Sequence, residues 1–93
     1  MFAKILKQMR DKIRKRQYVM TLHAEEEMND DNLIIYDVEH TILSGEIVER
    51  QKDIVSAEWK YRIAGETING NKVEVITKIS MAGRLVIITV YKI

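Results

Sequence analysis

Three observations predict an α+β fold, with N-terminal helices packed on one face of a C-terminal antiparallel sheet. Apolar residues recur at helical spacing through the first half of the chain, the pattern changes to alternation after Gly45, and two turn signals, Asn69-Gly70 and Ala82-Gly83, punctuate the second half. The 93 residues make one domain, 1–93, with a small core. It divides into a basic amphipathic helix (1–16), a short strand with helices (17–45) and a sheet (46–93).

In residues 2–16 the positions Phe2, Ile5, Leu6, Met9 and Ile13 form one helical stripe, and seven Lys and Arg cover the rest. The apolar run Tyr18–Leu22 is a short strand. Thr21 is placed to cap a second helix over about 22–29, with Glu25 and Glu26 at its positive end. Asn29-Asp30-Asp31-Asn32 breaks that helix. A third runs over about 34–44 with Ile35, Val38, Ile42 and Leu43 on one face, and Gly45 stands where a left-handed C′ residue is expected. Ile47–Arg50 is a strand. Trp59–Ile68 alternates, with Trp59, Tyr61 and Ile63 on one side and Lys60 and Arg62 on the other. After the Asn69-Gly70 turn, Val73–Met81 returns, with Val73, Val75, Thr77 and Ile79 on one face. Arg84–Ile93 is apolar on both faces and suits a central strand. Its purely apolar side, Val86, Ile88 and Val90, is expected to take the helices, leaving Ile87, Thr89 and Tyr91 on the uncovered side.

Composition narrows the function. With 46% hydrophobic and 31% charged residues the chain is globular rather than disordered. It has no cysteine, which excludes disulfides, thiolate nucleophiles and zinc knuckles and fits a reducing, cytoplasmic compartment. The N-terminus has no signal-peptide apolar core, and no stretch approaches the length of a membrane span. The net charge of +1 argues against a nucleic-acid partner until it is divided. Residues 1–16 carry seven bases and one acid, residues 17–58 two bases and eleven acids, and residues 59–93 six bases and two acids. The chain is thus a basic helix, an acidic middle and a basic sheet. Solvated faces explain this segregation. So does convergence of Lys60, Arg62, Lys78 and Arg84 on one sheet face as a phosphate-binding set.

Few residues offer chemistry. His23 and Glu27 lie four apart on one helix face, and the helix dipole favours a neutral imidazole in the first turn. Such a pair serves as acid and base, although spacing alone favours His23 as a cap or as filler at the helix–sheet join. As zinc ligands the two lack a third, so no metal site is assigned, and no cofactor motif is present. His40 is a surface residue without an evident partner. Tyr91, near the end of the last strand, can donate a proton or stack on a base from the uncovered face, or close the core edge. Trp59 is expected in the core.

Thr21-Leu22-His23-Ala24-x-x-x-Met28, Ile35-Tyr36-Asp37-Val38-Glu39 and Leu43-x-Gly45-Glu46-Ile47, followed by Trp59-Lys60-Tyr61-x-Ile63-x-Gly65, Val73–Ile76 and Val86-Ile87-Ile88-Thr89-Val90-Tyr91, resemble a family of small bacterial proteins. That family is similar to the RelE-like and BrnT-like toxins of type II toxin–antitoxin modules. The resemblance covers about residues 18–92. It implies a small α+β ribonuclease of the mRNA-interferase type, with helices on one sheet face and RNA on the other. It also implies an antitoxin partner, often a YgiT-type zinc-finger protein. Carried over, the family's histidine falls on His23, its terminal-strand tyrosine on Tyr91, and its sheet bases on Lys60 and Arg62. The expected function is metal-independent RNA cleavage, with His23 as base, Lys60, Arg62 and Arg84 as electrostatic clamp, and Tyr91 as acid or stacking group. Many members carry Arg before the Met, where this chain has Glu27. That departure favours the alternative, a non-catalytic RNA- or protein-binding relative. Any zinc of the system then belongs to the partner.

Overall fold

The computed structural model describes residues 1–93. Three helices, α1 (Ala3–Arg14), α2 (Leu22–Asp30) and α3 (Ile35–Ser44), lie against a five-stranded sheet. Its strands are β1 (Tyr18–Met20), β2 (Glu46–Lys52), β3 (Trp59–Glu66), β4 (Lys72–Ile79) and β5 (Leu85–Lys92), in the order β1-β5-β4-β3-β2. The sheet expected from the sequence is the antiparallel meander β2 to β5. The short β1 adds to it in parallel, pairing Tyr18 with Leu85 and Met20 with Ile87.

The core lies between the helix layer and one sheet face. Met9 and Ile13 of α1, Ala24 of α2 and Val38 and Ile42 of α3 close over Ile63, Val73, Val75, Leu85, Ile87 and Val90. Burying each Val, Leu, Ile or Met side chain of this set stabilises the fold by about 1.5–3 kcal/mol. Arg10, although part of the basic helix, is not a free cation. Its Nε and Nη2 donate to the carbonyls of Ile42 (3.3 Å) and Gly45 (2.6 Å), satisfying the C-terminal end of α3.

Gly45 departs from the expected left-handed conformation, with φ −86° and ψ −173°. Glycine is required there by packing. A Cβ at Gly45 would lie 2.5 Å from the carbonyl oxygens of both Thr41 and Ala64, and one at Gly65 would lie 2.6 Å from Thr41 O and 3.0 Å from Gly45 Cα. The end of α3 therefore crosses β3 at backbone contact. The turn glycines Gly70 and Gly83 do adopt positive φ, 85° and 81°.

Two further expectations are corrected. In β5 the register passes from Ile76↔Thr89 to Thr77↔Ile87, leaving Ile88 as the extra residue of a β-bulge. The bulge reverses the alternation, so Leu85 and Ile87 join Val90 in the core, while Thr89 and Tyr91 stay on the uncovered face. Trp59 shares the side of Tyr61 but lies beyond the helix layer, 42% exposed, with the Arg50 guanidinium 3.9 Å from its ring centroid.

α2 is fastened to the edge of β5 by side chains. Thr21 Oγ1 accepts from Ala24 N (3.1 Å), capping the helix, and donates to Ile88 O (3.0 Å). Beyond the end of β1, Glu27 Oε1 accepts from Val90 N (3.2 Å) and Asp31 Oδ2 from Lys92 N (2.9 Å), replacing strand partners that β1 is too short to supply. Thr21→Val keeps the shape but loses both bonds. It is expected to cost about 1–2 kcal/mol, read as a fall in Tm of roughly 4–8 °C per kcal/mol.

Candidate functional site

The sheet face opposite the helices carries a connected group of polar side chains. Alternation along β3 puts Lys60 and Arg62 there, β4 contributes Glu74, Ile76 and Lys78, and β5 contributes Thr89 and Tyr91. Pairing fixes their neighbours. Tyr91 lies directly opposite Glu74, Arg62 opposite Ile76, and Arg62 therefore diagonal to Glu74. Arg62 Nη1 donates to both oxygens of Glu74 (2.9 and 3.0 Å), and the Tyr91 hydroxyl donates to Glu74 Oε1. Arg62 Nη2 also lies 3.6 Å from Glu49 Oε2 on β2. A concavity of about 250 Å³ opens beside this group, lined by Glu49, Gln51, Lys60, Arg62, Ile76 and Tyr91, with Glu74 reached through its bonds to Arg62 and Tyr91 rather than in the lining itself.

The Glu74 carboxyl is 13% exposed. Its acidity is strengthened first by the Tyr91 hydrogen bond and then by Arg62, against the opposing effect of burial. Reciprocally, Glu74 and partial burial raise the pKa of Tyr91, and Glu74 raises that of Arg62. Near neutral pH the cluster thus holds an ionised carboxylate, a neutral phenol and a guanidinium within mutual hydrogen-bonding reach. No group of three His, Asp or Glu side chains is placed to hold a metal ion.

Of the residues expected to bind phosphate, Lys60 and Arg62 lie at this concavity. Lys78 shares the face but pairs with Glu58 (2.9 Å). Arg84 is in the β4–β5 turn, at the other end of β5 from Tyr91. The expected convergence of all four is therefore not what the fold provides. His23 is on α2, its side chain 67% exposed, with Nε2 3.2 Å from Glu27 Oε1. Glu27 is also the acceptor for Val90 N, so it holds α2 to the sheet. No hydrogen bond or ion pair joins His23 or Glu27 to Arg62, Glu74 or Tyr91. His40 has a partner the sequence did not indicate. Its Nδ1 is 2.8 Å from Glu66 O, and because a carbonyl only accepts, Nδ1 carries the proton.

Glu74 and Glu49 were missed. The available signal for Glu74 was its place between Val73 and Val75, which puts it on the face of Lys60 and Arg62.

Elsewhere, Tyr18 of β1 donates to Glu39 Oε2 of α3 (2.5 Å), and burial followed by that bond pushes its pKa up to about 12. The folded value lies above the ordinary value of 10.0, so this contribution to stability is full below pH 10 and is lost as pH rises from 10 to about 12. Tyrosinate absorbance is expected to show Tyr18 ionising late, and Tyr18→Phe to flatten the alkaline loss of stability over that window.

Residues 20–92 match the model of a family described as a domain of unknown function, DUF4258. The chain belongs to this family. No curated protein and no solved structure matches it significantly. The DUF4258 match begins at the last residue of β1 and takes in α2, α3 and the meander, including every member of the Arg62–Glu74–Tyr91 cluster. α1 precedes it. No helix is long and apolar enough to cross a membrane.

Proposed function

We propose that the uncovered sheet face binds RNA and that the Arg62–Glu74–Tyr91 cluster cleaves it without a metal, the activity of a type II toxin. The observation that carries this reading is the junction of the Glu74 carboxylate with a phenol and a guanidinium that line an open concavity, with Lys60 in the same lining and no carboxylate within ion-pair distance of Lys60. Cleavage of an RNA strand by its own 2′-hydroxyl needs a base, an acid and cations for the charge on the phosphorane.

Glu74 takes the 2′-OH proton. O2′ bonds to the adjacent phosphorus as the P–O5′ bond breaks, and Tyr91 gives its proton to O5′. Lys60 and Arg62 face the non-bridging oxygens. The products are a 2′,3′-cyclic phosphate and a 5′-hydroxyl end. The existing Tyr91–Glu74 hydrogen bond returns the proton to Tyr91 and resets the pair. A phosphate that draws Arg62 away from Glu74 also makes Glu74 a stronger base, so substrate binding activates the carboxylate. A protein antitoxin is the proposed partner, and a small Cys-x-x-Cys protein encoded in the adjacent reading frame would support this part of the reading.

The test is incubation of the purified protein with end-labelled RNA in excess chelator. Cuts ending in cyclic phosphate are expected, and intact RNA at every protein concentration would overturn the cleavage reading. A second reading, a non-catalytic binder, is favoured by one observation: Glu49 and Glu74 already compensate Arg62 before any phosphate arrives. It predicts RNA binding in the same assay without cuts.

A further inference from the structure

Besides Lys60, a group of cations without carboxylate partners lies away from the sheet face, at the end of α1 and the β4–β5 turn. α1 ends in a Schellman motif, with Arg16 N bonded to Ile13 O (3.1 Å) and Gln17 N to Lys12 O (2.9 Å). The residue at its left-handed position is Arg16, φ 55°, where glycine would avoid a cost of about 1–2 kcal/mol. The next residue ties this end to the sheet, since Gln17 O accepts from Leu85 N (3.1 Å). Beside it the β4–β5 turn is held by Gly83 N to Ser80 O (2.9 Å) and Ser80 N to Arg84 O (2.8 Å). Helix end and turn thus form a fixed frame.

Two adjoining concavities open between them, of about 380 and 260 Å³, sharing Lys12, Gln17 and Gly83. Lys15 lines the first, and Arg16 and Arg84 the second. The single acid present, Asp11, pairs with Arg14 (3.3 Å). None of Lys12, Lys15, Arg16 and Arg84 enters a salt bridge, whereas Arg62 and Lys78 on the sheet face both do. Compensation of the helix dipole explains Lys12, in the last turn of α1. It does not explain Arg16 and Arg84, which lie outside the helix. Three of the four cations also precede the residues matched to the family.

We propose that this frame is a second contact for the phosphodiester backbone of an RNA strand whose reacting nucleotides lie at Tyr91. The proposal rests on the RNA reading of the sheet face. Arg84 and Tyr91 are seven steps apart along β5 at about 3.3 Å each, roughly 23 Å. Only a strand of several nucleotides reaches both. The amide groups of Gln8 and Gln17 line the first concavity and supply neutral donors and acceptors beside the cations.

The test compares binding of RNA of about 16 and about 4 nucleotides by fluorescence anisotropy across a salt series. The proteins are wild type, the triple variant Lys15→Glu, Arg16→Glu, Arg84→Glu, and Lys60→Glu. All three residues of the triple variant are exposed, so its fold is expected to stay intact, and circular dichroism verifies this. The longer RNA is expected to bind wild type about tenfold more tightly than the shorter. The triple variant should lose that advantage and about 2 from its salt slope, at roughly 0.7 per phosphate contact, with short-RNA binding unchanged. Unaltered affinity and slope of the triple variant for the longer RNA would overturn the proposal. Loss of all binding in the triple variant with none in Lys60→Glu would sink the sheet-face reading and leave the frame as the RNA site. A wild type that binds neither RNA would overturn both.

Discussion

Glu74→Gln is expected to slow RNA cleavage by about 10²–10⁴-fold, the range attributed to a positioned general base. Glutamine keeps the size of the side chain and an oxygen for the Tyr91 hydroxyl but cannot take a proton. It also releases Arg62 from its closest carboxylate, so RNA affinity should hold or rise while kcat falls. This split separates loss of chemistry from loss of structure. Tyr91→Phe should lower kcat as well, because leaving O5′ then departs without a proton donor, and in both variants the change belongs in kcat rather than KM. His23→Ala is the informative control. With its imidazole directed at Glu27 and 67% exposed, it should leave the rate within a few fold. Full activity in Glu74→Gln with loss in His23→Ala would return the base to His23.

Gly65→Ala is expected to destabilise the fold by about 3 kcal/mol or more, at the upper end of overpacking costs. The added Cβ would meet backbone on two sides, Thr41 O at 2.6 Å and Gly45 Cα at 3.0 Å, and neither can rotate away as a side chain would. Relief requires α3 to lift from β3, which also strains the bonds of Thr41 Oγ1 and His40 Nδ1 to Glu66 O. A domain of this size holds about 5–15 kcal/mol in all. Thermal unfolding should show Tm lowered by at least about 12 °C. Gly70→Ala is the comparison. Nothing lies within 4 Å of its Cβ position, so only the positive φ is penalised, at about 1–2 kcal/mol. Equal effects at the two sites would mean that the α3–β3 contact is looser than the structure describes.

The helices and strands were legible because each buries one face and writes its period into the apolar residues. Thr21 as the cap of α2 was legible for a similar local reason, and the structure bears it out. Register was not. A two-residue Asn69-Gly70 turn would place Arg62 opposite Thr77. The observed loop, closed by Thr67 N to Asn71 O, shifts the pairing by one residue and places Arg62 opposite Ile76. That single step brings Glu74 onto the diagonal of Arg62, so the cluster depends on a loop length that the Asn-Gly signal does not specify. The bulge at Ile88 was hidden for another reason. In Leu85-Val86-Ile87-Ile88-Thr89-Val90 nearly every residue is apolar, so no break in polarity marks the extra one. The charges of Lys60, Arg62, Lys78 and Arg84 were legible as charges, but their partners come from distant strands and loops. Glu58 and Glu74 neutralise two of the four sites once the chain is folded.

The central claim is that RNA lies on the uncovered sheet face. It is tested most directly by mapping amide and side-chain NMR shifts on addition of a 2′-O-methyl RNA, which lacks the attacking hydroxyl and stays intact. Shifts concentrated at Lys60, Arg62, Glu74, Ile76 and Tyr91 are the expected result. Shifts confined to the helix layer, with these five residues unmoved at saturation, would contradict it.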